Sequence, residues 1–261
     1  MIGKVEENGT SNPPGRRCCG GSVLALAHRS PAGSMGDMLR GIVFDFDGVI
    51  ADTEPLHFAA FAEALSQFDV PLSRETYFSR YLGLRDEEIL RRLLADERRR
   101  LTFEQTSRLL GAKDAAYGRR IERGIDLAPG AAGLIRRASQ RYSLAICSGS
   151  KRDEIEQILR QADLLRPFEV IVAAEDVTSS KPDPAGYALT LRRLQACMSG
   201  LRAEQCLAIE DSPAGVTAAK GAGMRVVAIG DGDGGFDVSR PDARIDNLAE
   251  LSDGVIETFV E

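Results

Sequence analysis

Two aspartates, Asp45 and Asp47, stand at the end of an apolar run and directly ahead of Gly48. Residues 42–46 are β-branched or aromatic around the first acid, the pattern of a strand buried on both faces of a parallel sheet. A lone carboxylate is costly there, so it needs a cation or a reaction. The same residues also read as a polar strand end closed by an Asp-Gly turn. Further apolar runs lead to Ser148-Gly149, to Lys181-Pro182 and to a second acidic pair, Glu210-Asp211. Brought together, these residues would form a pocket for magnesium and phosphate, because hard oxygen ligands suit Mg2+, which keeps waters and bridges to phosphate. Lys181 would offset anionic charge, while Ser148 and the backbone amides around Gly48 and Gly149 would donate to phosphoryl oxygens. Taken singly, Ser148 reads equally as a helix cap, Lys181 as a surface charge and Glu210-Asp211 as a polar loop.

Strands are expected over 42–46, 143–147, 169–173, 205–209 and 225–229, with helices between them led by Asp153, Asp183 and Ser212. This alternation predicts an α/β fold: a Rossmann-like parallel-sheet core, in which ligands bind beyond the carboxyl ends of the strands. Every chemically interesting cluster follows a strand. After the first strand the pattern turns helical, with Leu56, Ala59, Ala60 and Ala64, then Ile89, Leu90, Leu93 and Leu94, then Leu109, Leu110, Ala116 and Ile121. Ser73, Arg85-Asp86 and Thr102 mark helix starts, Gly83 and Gly111 mark breaks, and 96–100 reads as a solvated charged loop. The expected division is a flexible N-terminal tail over 1–37, a core over 38–54 and 126–261, and a helical insertion over 55–125 after the first strand, forming a small bundle of its own.

The 261 residues carry a net charge of −6, which disfavours a nucleic-acid surface or an anionic membrane as partner. No apolar run approaches membrane-spanning length. The 5 cysteines form no disulfide framework, and Cys147, Cys197 and Cys206 fall in apolar segments as small buried residues do, so a reducing, cytoplasmic setting is expected. Cys18, Cys19 and His28 in the tail lack the spacing of a zinc site.

Together the motifs resemble the haloacid dehalogenase superfamily, in its branch of phosphatases and phosphomutases of the β-phosphoglucomutase type. Asp45-Phe46-Asp47-Gly48 is similar to the family's first motif, Ser148 to its second, Lys181-Pro182 to its third, and Glu210-Asp211-Ser212-Pro213-Ala214-Gly215 to its fourth. The resemblance implies that Asp45 is a nucleophile forming an aspartyl-phosphate and Asp47 the acid/base. It implies Mg2+ held by Asp45, Asp47 (through its backbone carbonyl), Glu210 and Asp211, with Gly48, Ser148, Gly149 and Lys181 on the phosphate. The insertion resembles the family's cap, which closes over the site. Its counterparts for substrate are His57 at the hinge, Arg85 in the Gly83-Leu84-Arg85 loop, and Lys113 with Tyr117. His57 reads equally as a surface histidine opening the first cap helix.

Asp47 directs the reaction: the family's dehalogenases lack this second acid, and its phosphonate-cleaving members replace it with a small residue. The expectation is a Mg2+-dependent phosphatase acting on a small phosphorylated metabolite, a sugar phosphate, as a monomer or weak homodimer. The mutase pattern places a cap arginine after Gly-x-Ser, whereas this chain reads Gly83-Leu84-Arg85-Asp86, with an acid beside the arginine. A sugar phosphomutase is therefore the alternative, and a catalytically silent phosphate-binding regulatory protein the third reading.

Overall fold

The computed structural model describes residues 38–81, 84, 86–230 and 241–258. The expected tail over 1–37, with Cys18, Cys19 and His28, lies outside them, as do Gly83 and Arg85. Strand β1 (Gly41–Phe44) is buried along its whole length. It pairs in parallel with β2 (Ser143–Cys147) on one side and β4 (Cys206–Glu210) on the other. β3 (Phe168–Val172) lies outside β2, and β5 (Arg225–Ile229) and β6 (Ala243–Ile245) continue beyond β4, all parallel. The resulting order is β3-β2-β1-β4-β5-β6.

Side chains alternate across this sheet and build a core on each face. Ile42 and Phe44 join Leu144, Ile146, Leu207 and Ile209 on one face. That face is covered by α5 (Ala131–Ala138), α6 (Arg152–Gln161) and α9 (Asp253–Thr258). Val43 joins Ala145, Ala208 and Val226 on the other, beneath α7 (Ala185–Cys197) and α8 (Pro213–Gly221). Each large aliphatic side chain so buried stabilises the fold by roughly 1.5–3 kcal/mol. Sequence placed the third and fourth strands one residue away from their observed bounds and carried the first to Phe46, two residues past its observed end, and β6 and α9 went unanticipated. Cys147 and Cys206 are buried as expected, but Cys197 is exposed. It is the last residue of α7 and lies past Leu194, the final buried position of that helix.

Between β1 and α5 the chain forms α1 (Glu54–Ser66), α2 (Arg74–Arg80), α3 (Asp86–Asp96) and α4 (Phe103–Glu122). Ser73 Oγ caps α2 by accepting from Thr76 N at 3.0 Å, and Thr102 opens α4 in a reciprocal capping box with Gln105. Phe61, Leu65, Tyr77, Ile89, Leu93 and Leu109 are among the residues of a separate apolar cluster. α1 and α4 also reach the sheet's own core through Ala60, Ala116, Tyr117 and Ile121. Gly111 does not break the helix: α4 runs through it. An interior glycine costs about 1 kcal/mol relative to alanine, which the capped start and the buried stripe of Leu109, Lys113, Ala116, Tyr117 and Ile121 offset. Among the described residues, no helix is long and apolar enough to cross a membrane.

Candidate active site

β1 ends at Phe44, in register with Ile146 of β2 and Ile209 of β4. Asp45 remains tied to the sheet by its amide, which donates to Ile209 O at 2.9 Å. Asp45, the loop beginning at Ser148, and Glu210-Asp211 therefore emerge along one edge, at the carboxyl ends of the strands. Asp45, Glu210 and Asp211 offer carboxylate oxygens that all lie within 4.8 Å of one another. Lys181 Nζ sits between two of them, 2.7 Å from Asp45 Oδ1 and 2.6 Å from Glu210 Oε1. Its loop is anchored by Asp176, which accepts from Ala173 N at 2.8 Å, from Arg152 at 2.5 Å and from Arg193 at 2.7 Å.

Glu210 is fully buried. Tyr187 OH donates to its Oε1 at 2.6 Å and Ser212 Oγ to its Oε2 at 3.2 Å. Two glycines make room for the acids. A Cβ on Gly215 would lie 2.0 Å from the Glu210 carboxylate, and one on Gly48 would lie 2.0 Å from Asp211 Oδ2. Gly48 also adopts φ +75°, a left-handed conformation natural to glycine. Its amide donates to Ala51 O at 2.8 Å, so its contribution to the site is space rather than a hydrogen bond. Gly149 is exposed, with nothing near its Cα to obstruct an incoming group.

Asp47 is held differently. Thr53 Oγ1 donates to its Oδ1 at 2.5 Å, and Ser148 Oγ and Ser150 Oγ both donate to Oδ2, Ser148 at 3.3 Å. Ser148, expected on a phosphate, here sits on the second aspartate and accepts from Ser150 N at 2.9 Å. Sequence reasoning gave no role to Thr53, Ser150 or Tyr187. The first two stand close to the motifs of Asp47 and Ser148, but a hydroxyl's partner across the chain leaves no mark in local spacing.

In the insertion, Lys113 and His57 do meet. Lys113 is only 3% exposed, and its ammonium lies 2.5 Å from Asp86 Oδ2 and 3.1 Å from His57 Nδ1. The His57 ring stacks on Tyr117, with centroids 4.1 Å apart. Burial, helped by the Lys113 charge, pulls the imidazole down to about 4. The charge of Asp47 reaches both His57 and Tyr117, so this group borders the carboxylates. Burial likewise raises Glu154, on the facing helix α6, to about 7. Arg85 lies outside the described residues.

Of the three carboxylates Asp45, Glu210 and Asp211, the first two contact the Lys181 ammonium. Burial and the neighbouring Glu210 push Asp45 well above the usual carboxylate range and Asp211 up to about 7. Burial opposes the charge of Lys181, but Asp45 and Glu210 raise it overall. Such an oxygen-rich set, short of positive charge, fits a hard divalent cation.

A family model described as haloacid dehalogenase-like hydrolase matches residues 42–229. The chain is 31% identical over 199 residues to the β-phosphoglucomutase of Bacillus subtilis, covering 74% of this chain and 84% of that one. It is 30% identical over 188 residues to a phosphorylated carbohydrates phosphatase of Thermotoga maritima, covering 71% and 82%. The crystal structure of CbbY from Rhodobacter sphaeroides in complex with phosphate superposes with a TM-score of 0.70 at 31% identity, covering 82% of this chain and 97% of that one. A lysine-bridged acidic edge on a parallel sheet, with these likenesses across most of the chain, makes the protein an enzyme that belongs to the haloacid dehalogenase-like hydrolases, in their phosphoglucomutase and phosphoglycolate phosphatase branch.

Proposed function

We propose that the protein is a Mg2+-dependent phosphatase of small phosphate monoesters, with sugar phosphates as the substrate class. The observation that carries this reading is the contact of Lys181 with both Asp45 and Glu210 inside the acidic cluster. It sets a nucleophilic oxygen beside a cation that can draw in a phosphoryl group. Phosphatase and phosphoglucomutase relatives support the same chemistry.

In the first step an Asp45 carboxylate oxygen bonds to phosphorus while the bond to the leaving alcohol breaks, and Asp47 gives that alcohol oxygen its proton. In the second step water attacks the aspartyl-phosphate, Asp47 takes the water's proton, and the Asp45–phosphorus bond breaks to release inorganic phosphate. Lys181 keeps the carboxylate and the phosphoryl oxygens together despite their like charge. On substrate binding Ser148 would pass from Asp47 to a phosphoryl oxygen. Asp45, Glu210, Asp211 and the Asp47 carbonyl would hold Mg2+, which supplies charge neutralisation at the phosphoryl group.

The helices over 55–125 serve as a cap. Thr53 is the N-cap residue of α1 and also grips Asp47, which links movement of the cap to the orientation of the acid/base. The preference for hydrolysis over mutase chemistry rests on the departure from the mutase pattern at Gly83-Leu84-Arg85-Asp86, and the acid of that departure, Asp86, is ion-paired with Lys113. The distinguishing assay supplies β-glucose 1-phosphate with Mg2+ and follows both products. Phosphate release is expected, and rapid glucose 6-phosphate formation with little inorganic phosphate would favour the mutase instead.

A further inference from the structure

Tyr187 lies on the first turn of α7 and is fully buried, yet it presents its hydroxyl to the charged edge of the sheet. That hydroxyl donates to Glu210 Oε1 at 2.6 Å, the same oxygen that Lys181 approaches at 2.6 Å. The Tyr187 ring lies under the ammonium as well, 5.5 Å from Lys181 Nζ to its centroid. A carboxylate oxygen has two lone pairs, and Oε1 has two donors upon it. Oε2 takes a longer contact from Ser212, at 3.2 Å. One oxygen of Glu210 is thus occupied and its orientation set, while the other retains capacity for a cation or its water.

We infer that Tyr187 is a positioning residue: its hydroxyl, acting through Glu210, sets the carboxylate that serves the divalent cation and keeps Lys181 shared between Glu210 and Asp45. The inference rests on the proposed metal-dependent reading. Without the hydroxyl, Glu210 Oε1 would have only Lys181 to satisfy it, which would draw the ammonium away from the Asp45 oxygen. Outer partners that orient a ligand affect metal affinity in this manner.

Calorimetric titration of the full chain with Mg2+, in the absence of substrate, provides the test. Tyr187→Phe keeps the ring, and its Kd for Mg2+ is expected to rise about tenfold. In a Glu210→Gln background the same change should add little further, because the hydroxyl acts through that carboxylate. Thr190→Val serves as the comparison. Thr190 is also fully buried on α7, but its hydroxyl donates to Gly186 O at 2.9 Å, so its loss should lower thermal stability and leave the Mg2+ Kd unchanged. Wild-type Mg2+ affinity in Tyr187→Phe, or an equal shift in Thr190→Val, would overturn the inference. If Tyr187→Phe does not fold, 3-fluorotyrosine placed at 187 alone keeps both ring and hydroxyl. Its fluorine resonance should move when Mg2+ is added, and a resonance that stays in place would overturn the inference equally. An unaltered chain that binds no Mg2+ would overturn the metal reading and this inference together.

Discussion

Asp45 and Asp47 belong to one short motif yet occupy opposite kinds of surroundings. Asp45 faces an ammonium and two other acids, whereas Asp47 is wrapped by the hydroxyls of Thr53, Ser148 and Ser150. The proposed mechanism uses this division, with attack by the first and proton transfer by the second. Asp47→Asn keeps the backbone carbonyl, so Mg2+ binding should persist while turnover falls by roughly 10²–10⁴; near-normal turnover would contradict the acid/base role. His57 gives a second prediction. Its imidazole is lowered to about 4 from an ordinary value near 6.5, so the folded state resists protonation. The stability this contributes is complete above about pH 6.5 and is lost as pH falls toward 4. His57→Gln should therefore show a shallower loss of thermal stability over that window. The chain has 2 histidines, so an imidazole NMR titration can follow the His57 midpoint directly. The acids and Lys181 were legible in the sequence because charges placed after buried strands stand out. Thr53, Ser150 and Tyr187 were not, since their roles depend on loops from different strands meeting.

At the scale of elements, helix starts were read well where a side chain does the capping, as at Ser73 and Thr102. Gly111 misled because a local break signal was outweighed by tertiary burial along α4. β6 escaped notice because it is only three residues long, with one of them buried. Elements also impose conditions on the site. α8 passes so close to Glu210 that residue 215 must lack a side chain. Gly215→Ala should cost roughly 1–3 kcal/mol of stability through overpacking and also weaken Mg2+ binding by displacing Glu210. Denaturant unfolding and Mg2+ titration would measure the two effects, and a variant unchanged in both would contradict the packing described.

For the molecule as a whole, the α/β class and the helical insertion were legible because strand and helix periods alternate clearly along the chain. What the sequence left open is how α1 and α4 belong to two apolar clusters at once, a fact that emerges only from packing. The same two helices carry His57, Lys113 and Tyr117 to the border of the carboxylate site, so under the proposed function substrate choice and fold stability would share residues. The account converges on one chemical event, transfer of a phosphoryl group to Asp45. Rapid quenching of the enzyme with Mg2+ and a phosphate-labelled sugar phosphate, followed by peptide mapping, measures it directly. The label is expected on Asp45 before inorganic phosphate accumulates, and no label is expected in Asp45→Asn. Steady phosphate release with Asp45 never labelled, or with the label on another residue, would contradict the account.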